Sequence, residues 1–176
     1  MIIILILINA LVFYFLLGGK VRLKDLAQSY TTVIKEKQYY RILSSSFTHK
    51  SLTHIFFNML ALYYVGRGVE MVYGEAGFLI VYFGSIIIGQ TASLFIHHAN
   101  GQDDLLSVGA SGAVCGLIGA YLVAIITIFG IQNSLFNLVI TLFYVVAMSV
   151  SPKVDGMSHI CCFATGLIIA YLLVMM

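Results

Sequence analysis

The sequence predicts an all-α polytopic membrane protein with six transmembrane helices, and three observations lead to that fold class. Of its 176 residues, 61% are hydrophobic and only 9% are charged. A soluble domain of this size needs more charge to cover its surface. Uncharged segments long enough to cross a bilayer recur along the chain. Lipid allows only helices or closed barrels, and no strand-like alternation favours a barrel.

The length fits a single compact domain over residues 1–176. A net charge of +2 is too small to suggest a nucleic-acid partner. Cys115, Cys161 and Cys162 lie in apolar segments and have no zinc-site spacing, so they are interpreted as reduced, packed thiols. Neither a metal nor another cofactor is expected.

The first helix is predicted at roughly 2–19, apolar except for Asn9. It lacks a basic lead-in and a clear cleavage site, so we expect a retained helix rather than a signal peptide. Residues 20–50 are the only long polar stretch. Their scattered apolar residues favour short interfacial helices in a first loop.

Five further helices follow, separated by short polar turns. They are predicted at roughly 51–68, 77–97, 108–129, 134–150 and 156–176. His97 and His98 are expected in a wet loop rather than in a metal site. A solvated turn is expected at Pro152, Lys153, Asp155 and Gly156.

The fourth helix begins with glycines and alanines around one hydroxyl, that of Ser111. Gly112, Gly116 and Ala120 recur at a spacing of four, which lets helix backbones approach closely in lipid. A serine exposed by such small neighbours is a candidate nucleophile. His159, at the start of the last apolar segment, is its candidate base.

Helix parity predicts that these residues meet. Helices two, four and six start on the same membrane face, so Asn58, Ser111 and His159 lie at similar depth. His54 and Asn58 share one helix face. Because polar groups are costly inside a membrane, their convergence predicts a functional site.

The chemistry that this cluster predicts is a serine–histidine dyad. His159 would take the Ser111 proton during attack on a carbonyl and return it to the leaving amine. The Ser111 backbone N–H, with the side chains of Asn58 and His54, would stabilise the oxyanion. Asp155 is placed in the solvated turn rather than in a triad.

Several motifs in order give the chain a resemblance to the rhomboid family of intramembrane serine proteases. They are Tyr40-Arg41, the segment Phe47–Asn58, the segment Gly66–Glu70, Gly109-Ala-Ser-Gly112, and Ser158-His159 with Gly166. The resemblance implies a rhomboid-like bundle with Ser111 as nucleophile, His159 as base, and His54 and Asn58 lining the oxyanion hole. It implies that Gly109 shapes the loop before the serine, and that His49 supports the first loop without a catalytic role.

The implied substrates are single-pass transmembrane proteins in the lipid bilayer, cut at small residues where the helix unwinds. No cofactor is implied. Water would reach the serine from the loop side, with the fifth helix and the following loop as gate and cap. The resemblance also implies a multi-pass protein of the cell membrane. It places the protein in the bacterial plasma membrane, with the site opening to the extracytoplasmic side.

Two features depart from the family pattern. Seven of the nine basic residues lie in residues 20–50, which the positive-inside rule would place in the cytoplasm. We follow the family, because a partly embedded interfacial loop is a poor case for that rule. Cys115 stands where an aromatic residue usually stacks on the histidine, and Cys161 and Cys162 stand where glycine is usual. We expect the cysteine atoms to push helices four and six apart.

Other readings are weighed beside the protease. One alternative is that Ser111 is a packing serine whose hydroxyl donates back to a carbonyl of its own helix. The serine motif alone favours this alternative, but its combination with His159, His54 and Asn58 argues against it. A catalytically impaired rhomboid-like protein that binds transmembrane helices without cutting them is the main alternative. A small-solute channel is a more distant one.

Overall fold

The computed structural model describes residues 1–150 and 154–176, so the predicted turn residues Pro152 and Lys153 lie outside the described residues. The described residues form helices and no strand; an isolated bridge joins Gln28 and Ser107. The all-α prediction is therefore confirmed. The described ranges contain eight α-helices: α1 (Ile2–Leu17), α2 (Leu23–Leu26), α3 (Arg41–Ser46), α4 (Leu52–Gly84), α5 (Thr91–Ala99), α6 (Ser111–Phe129), α7 (Ile131–Val150) and α8 (Gly156–Met175).

Three helical segments are long and apolar enough to cross a membrane: Leu52–Ala99, Ser111–Phe129 and Gly156–Met175. The first comprises α4, a π-helical segment at Ser85–Gln90, and α5. Shorter apolar helices occur at Ile2–Leu17 and Ile131–Ala147. The protein is thus an apolar helical bundle of membrane-protein composition.

Gly74 divides the long α4 helix. Its φ of 70° and ψ of 176° lie outside the helical range, in a region that favours glycine. A Cβ on Gly66 would be 3.1 Å from the Phe78 ring, although a straight helix would separate these residues by about 18 Å. The chain therefore turns back at Gly74. The loop expected between 68 and 77 is replaced by this one-residue break.

The centre of the bundle is the contact between α6 and α8. A side chain on Gly166 would overlap the Gly116 carbonyl, and one on Gly119 would lie 2.5 Å from the Phe163 carbonyl. The close approach predicted from the small residues of α6 therefore occurs. Gly119 takes part in it, although the spacing-of-four pattern does not contain it.

The first loop contains short helical segments, as predicted: α2, a π-helical turn at Thr31–Lys35, and α3. Arg41 is buried, and its guanidinium donates to the carbonyls of Lys24 (2.6 Å) and Ala27 (2.7 Å). Charge-assisted bonds of this kind are stronger than neutral ones. The buried Arg41 guanidinium consequently joins the start of α3 to the segment around α2.

The first loop also holds the segment that precedes α6. Gln28 and Ser107 exchange backbone hydrogen bonds at 3.2 and 2.9 Å. The Gly109 N–H donates to the Ser45 carbonyl at 2.9 Å. The backbone that leads into Ser111 is therefore fixed by the first loop, which lies much earlier in the sequence.

Candidate active site

Ser111 and His159 lie in hydrogen-bond contact. Ser111 is the first residue of α6 and His159 is in the first turn of α8. His159 Nε2 is 2.9 Å from Ser111 Oγ, and His159 is only 3% exposed. This is the separation at which a histidine can take a proton from a serine hydroxyl. The Ser111 N–H is also among the first four of its helix, which have no intrahelical acceptor.

His54 faces the same point from the start of α4. Ser51 caps that helix by accepting the His54 N–H at 3.1 Å. His54 Nδ1 accepts the Lys50 N–H at 3.4 Å, which leaves the ring proton on Nε2. His54 Nε2 is 2.8 Å from the position that a Gly109 Cβ would occupy. His54 therefore directs a donor toward the segment beside Ser111.

Gly109 provides both the space and the backbone conformation of this segment. Its φ is +123°, in a region that L side chains rarely adopt. A Cβ there would lie 2.7 Å from His54 Cε1 and 3.6 Å from Ser111 Oγ. A glycine is thus required between the histidine and the serine.

Asn58 is buried one turn after His54. Its Nδ2 donates to the His54 carbonyl at 2.9 Å. An amide nitrogen carries two protons, so one N–H remains for the cavity that Asn58 lines together with Ser111. The structure therefore brings all four predicted polar side chains, and Gly109, to one place.

His49 supports this site from the first loop. Its Nε2 accepts the backbone N–H of Ala110 at 3.3 Å, and its ring packs edge-on against His54 at 5.0 Å. Burial, reinforced by the neighbouring His54, lowers the pKa of His49 from 6.5 to about 3. His49 is therefore neutral at physiological pH and can act as an acceptor.

Two predictions about solvated residues are wrong. His97 and Asp155 were expected in a wet loop and a solvated turn, but both side chains are 7% exposed and His97 Nε2 lies 2.8 Å from Asp155 Oδ1. Asp155 Oδ1 also accepts the Ser158 N–H at 3.0 Å, capping α8. An aspartate just before an apolar helix is a typical N-cap, and this signal could have identified Asp155 as a structural residue.

A buried amide also escaped the sequence analysis. Gln90 hydrogen-bonds Gln28, and its Nε2 donates to Ser46 Oγ at 2.6 Å. Ser45 Oγ donates to Gln90 Oε1 at 3.4 Å. The available signal was an amide side chain in an apolar segment that carries no charge. Gln90 joins the first loop to the helices beneath it.

All three cysteines are free, and Cys115 and Cys162 are buried. The expected separation of α6 and α8 does not occur, because Gly89 and Gly112 make room for Cys162. A Cβ on Gly112 would be 3.1 Å from Cys162 Sγ. The Cys162 thiol donates to the Ser85 carbonyl at 3.2 Å. The interpretation of packed thiols therefore holds for Cys115 and Cys162, whereas Cys161 is only half-buried.

Two cavities meet at the dyad. One of about 330 Å³ is lined mainly by polar residues, including Lys50, Ser107 and Ser158. A second of about 310 Å³ is lined mainly by apolar side chains, including Phe57 and Ala61. Both are also lined by the three residues His54, Ser111 and His159. The serine thus stands between a polar chamber and an apolar one.

Comparison with known proteins gives consistent results. A family profile described as the Rhomboid domain matches residues 36–176. The protein named "Putative rhomboid protease YdcA" of Bacillus subtilis (strain 168) is 27% identical over 154 residues. These residues are 86% of this chain and 75% of that protein. RHOMBOID-like protein 4 of Arabidopsis thaliana is 33% identical over 145 residues, 80% of this chain and 36% of that protein.

The rhomboid protease GluP of Bacillus subtilis (strain 168) is 36% identical over 91 residues, 52% of this chain and 17% of that protein. The chain therefore spans well under half the length of GluP and of the Arabidopsis relative. The family profile match covers both Ser111 and His159.

Proposed function

This chain belongs to the rhomboid family, and from that membership we propose that it is an intramembrane serine endopeptidase. The observation that carries the proposal is the 2.9 Å contact between Ser111 Oγ and His159 Nε2. In the proposed reaction, Ser111 attacks a peptide carbonyl while His159 accepts its proton. His159 then donates that proton to the departing amine, and water hydrolyses the acyl enzyme.

The oxyanion of this reaction would be stabilised by three donors. They are the backbone N–H of Ser111, the Nε2–H of His54 and the second amide N–H of Asn58. Donors already in place are worth more in a dry site than in water. Gly109 keeps His54 and the serine loop close enough to share that oxyanion.

We infer that the single domain of residues 1–176 crosses the membrane six times. The spans would be α1, the two halves of the segment Leu52–Ala99 on either side of Gly74, α6, α7 and α8. The polar chamber would admit water, and the apolar chamber would receive an unwound part of a single-pass transmembrane substrate. We place the protein in the bacterial plasma membrane, with the site opening to the extracytoplasmic side.

A second candidate function is suggested by Cys115. This buried residue occupies the position where the family usually stacks an aromatic ring on the catalytic histidine. A chain without that ring could bind transmembrane helices without cutting them. The two functions differ in whether Ser111 becomes acylated or phosphonylated.

The test is labelling by a fluorophosphonate and cleavage of a generic transmembrane substrate, both in detergent. We expect the parent to react in both assays and Ser111→Ala to react in neither. His159→Ala should lose about 10²–10⁴-fold in rate. Ser93→Ala is the matched control, because Ser93 is a buried serine that donates only to the Gln90 carbonyl in the same helical segment.

Each outcome assigns a function. Reaction that depends on Ser111 but not on Ser93 supports the protease. Parental rates in His159→Ala would exclude the dyad. Folded parent protein that reacts in neither assay, yet is captured by the substrate helix, would favour the binding function.

A further inference from the structure

We propose that His97 and Asp155 are a positioning pair that holds His159 in register with Ser111. The proposal rests on the proposed protease function and adds two residues to it. Neither residue contacts the reacting atoms. Both act through the first turn of α8.

The Asp155 carboxylate joins two separate parts of the chain. It is the N-cap residue of α8, four residues before His159, and its Oδ1 accepts the Ser158 N–H at 3.0 Å. The same oxygen lies 2.8 Å from Nε2 of His97, near the end of α5. One buried oxygen therefore ties the start of α8 to α5.

His97 is itself held on both sides of its ring. Its Nδ1 lies 3.1 Å from Gln102 Oε1, and the Gln102 N–H donates to the His97 carbonyl at 2.8 Å. Both ring nitrogens therefore lie within hydrogen-bond distance of an oxygen atom. The imidazole ring and the carboxylate form a pair that is shielded from water.

The pair is placed where its geometry reaches the dyad. Asp155 lines the polar chamber together with Ser111 and His159. It also lines a neighbouring cleft together with His97. Since His159 lies in the turn that Asp155 caps, a rotation of this turn moves His159 Nε2 away from Ser111 Oγ. Misplacement of a catalytic group by about 1 Å can cost 10²-fold in rate.

The test separates the link to His97 from the cap. Asp155→Ser keeps an N-cap oxygen but is too short to reach His97, and His97→Leu removes the ring nitrogens. The measured quantities are the maximal rate of Ser111 labelling by a fluorophosphonate, the probe concentration at half-maximal rate, and the folded fraction. His98→Leu is the matched control, since His98 is the next residue and its pair with Asp103 is exposed.

We expect each single variant to lower the maximal labelling rate about tenfold at an unchanged half-maximal probe concentration. The double variant His97→Leu/Asp155→Ser should be no slower than either single variant, because both remove the same link. His97→Gln should recover most of the rate, since its amide N–H can replace the ring donor. His98→Leu should label at the parental rate.

Three results would overturn the proposal. One is parental labelling by both single variants, and another is multiplication of their effects in the double variant. The third is a rate loss that equals the loss of folded protein and that His97→Gln does not recover. If the parent itself is not labelled, the protease function fails and the positioning role falls with it, whereas a labelled parent isolates a failure of the pair.

Discussion

The backbone of Gly89 lies directly against Cys162: a Cβ on Gly89 would be 2.6 Å from Cys162 Cα and 2.8 Å from Cys162 Sγ. This contact explains how a cysteine is accommodated at a position where the family usually has glycine. The glycine of this contact is Gly89, on the facing helical segment, rather than residue 162. The space that the thiol needs is thus provided by Gly89.

Gly89→Ala should therefore destabilise the protein by about 1–3 kcal/mol, the usual cost of overpacking a tight core. The clash involves the Cys162 backbone, so adding Cys162→Gly should restore only part of the loss. Thermal unfolding in detergent measures both variants. Gly18→Ala is the control, because its Cβ would meet its nearest atoms at 3.5 and 3.9 Å. An unchanged unfolding temperature for Gly89→Ala would contradict the packing argument.

Gly109→Ala should lower the rate of substrate cleavage by about 10²–10³-fold. The new Cβ would displace the His54 ring from the oxyanion site, and loss of one such donor has about this effect. Gly101→Ala is the control, since Gly101 also has a positive φ, of 70°, but its Cβ would meet nothing within 4 Å. A cleavage rate for Gly109→Ala equal to that of Gly101→Ala would contradict the assignment of His54 as an oxyanion donor.

His49 should make the folded state sensitive to acid. Above pH 6.5 the residue is neutral in both the folded and the unfolded chain, so its stabilising contribution is complete. As pH falls below 6.5, the unfolded chain binds a proton that folded His49 does not take up until pH about 3. The free energy of unfolding should therefore fall by up to about 1.4 kcal/mol per pH unit in this window.

His49→Gln provides the comparison, since glutamine can accept the Ala110 N–H but does not titrate. Denaturation of the parent and the variant between pH 8 and pH 4 should give a shallower slope for the variant. Parallel curves for the two proteins would show that His49 is not the group responsible.

Ala61→Phe should separate substrate access from chemistry. Its ring would fill much of the apolar chamber of about 310 Å³, so cleavage of a transmembrane substrate should fall about tenfold or more. Labelling of Ser111 by a small fluorophosphonate through the polar chamber should be retained. Leu60→Phe, at the neighbouring exposed position, should leave both rates unchanged. Equal losses of cleavage and labelling in Ala61→Phe would place its effect on the dyad instead.

The grouping of the site residues was predictable because it follows from topology. Hydropathy gives the order of the apolar segments, and order gives the depth of Asn58, Ser111 and His159 without side-chain detail. The reversal at Gly74 was not predictable in this way. A single glycine between Tyr73 and Glu75 has no loop composition, and its effect depends on one backbone torsion.

The contact between His97 and Asp155 could not be inferred from local pattern. Hydropathy treats both residues as polar and places them in water. Their burial depends on a meeting between segments that are 58 residues apart. Gln90 was missed for a related reason, since the apolar residues around it determine the hydropathy of that segment.

The tight seam between α6 and α8 has a consequence for how selectivity can arise. Ser111 and His159 are carried by two backbones that touch at Gly116 and Gly166, so one packing contact holds the proposed nucleophile and base together. In the proposed protease, different substrates would therefore meet the same Ser111–His159 pair, and discrimination among them would be left to the walls of the chambers. Variation in α7 or in the first half of α4 would then change which transmembrane substrates the proposed protease accepts, while Ser111 and His159 stay unchanged.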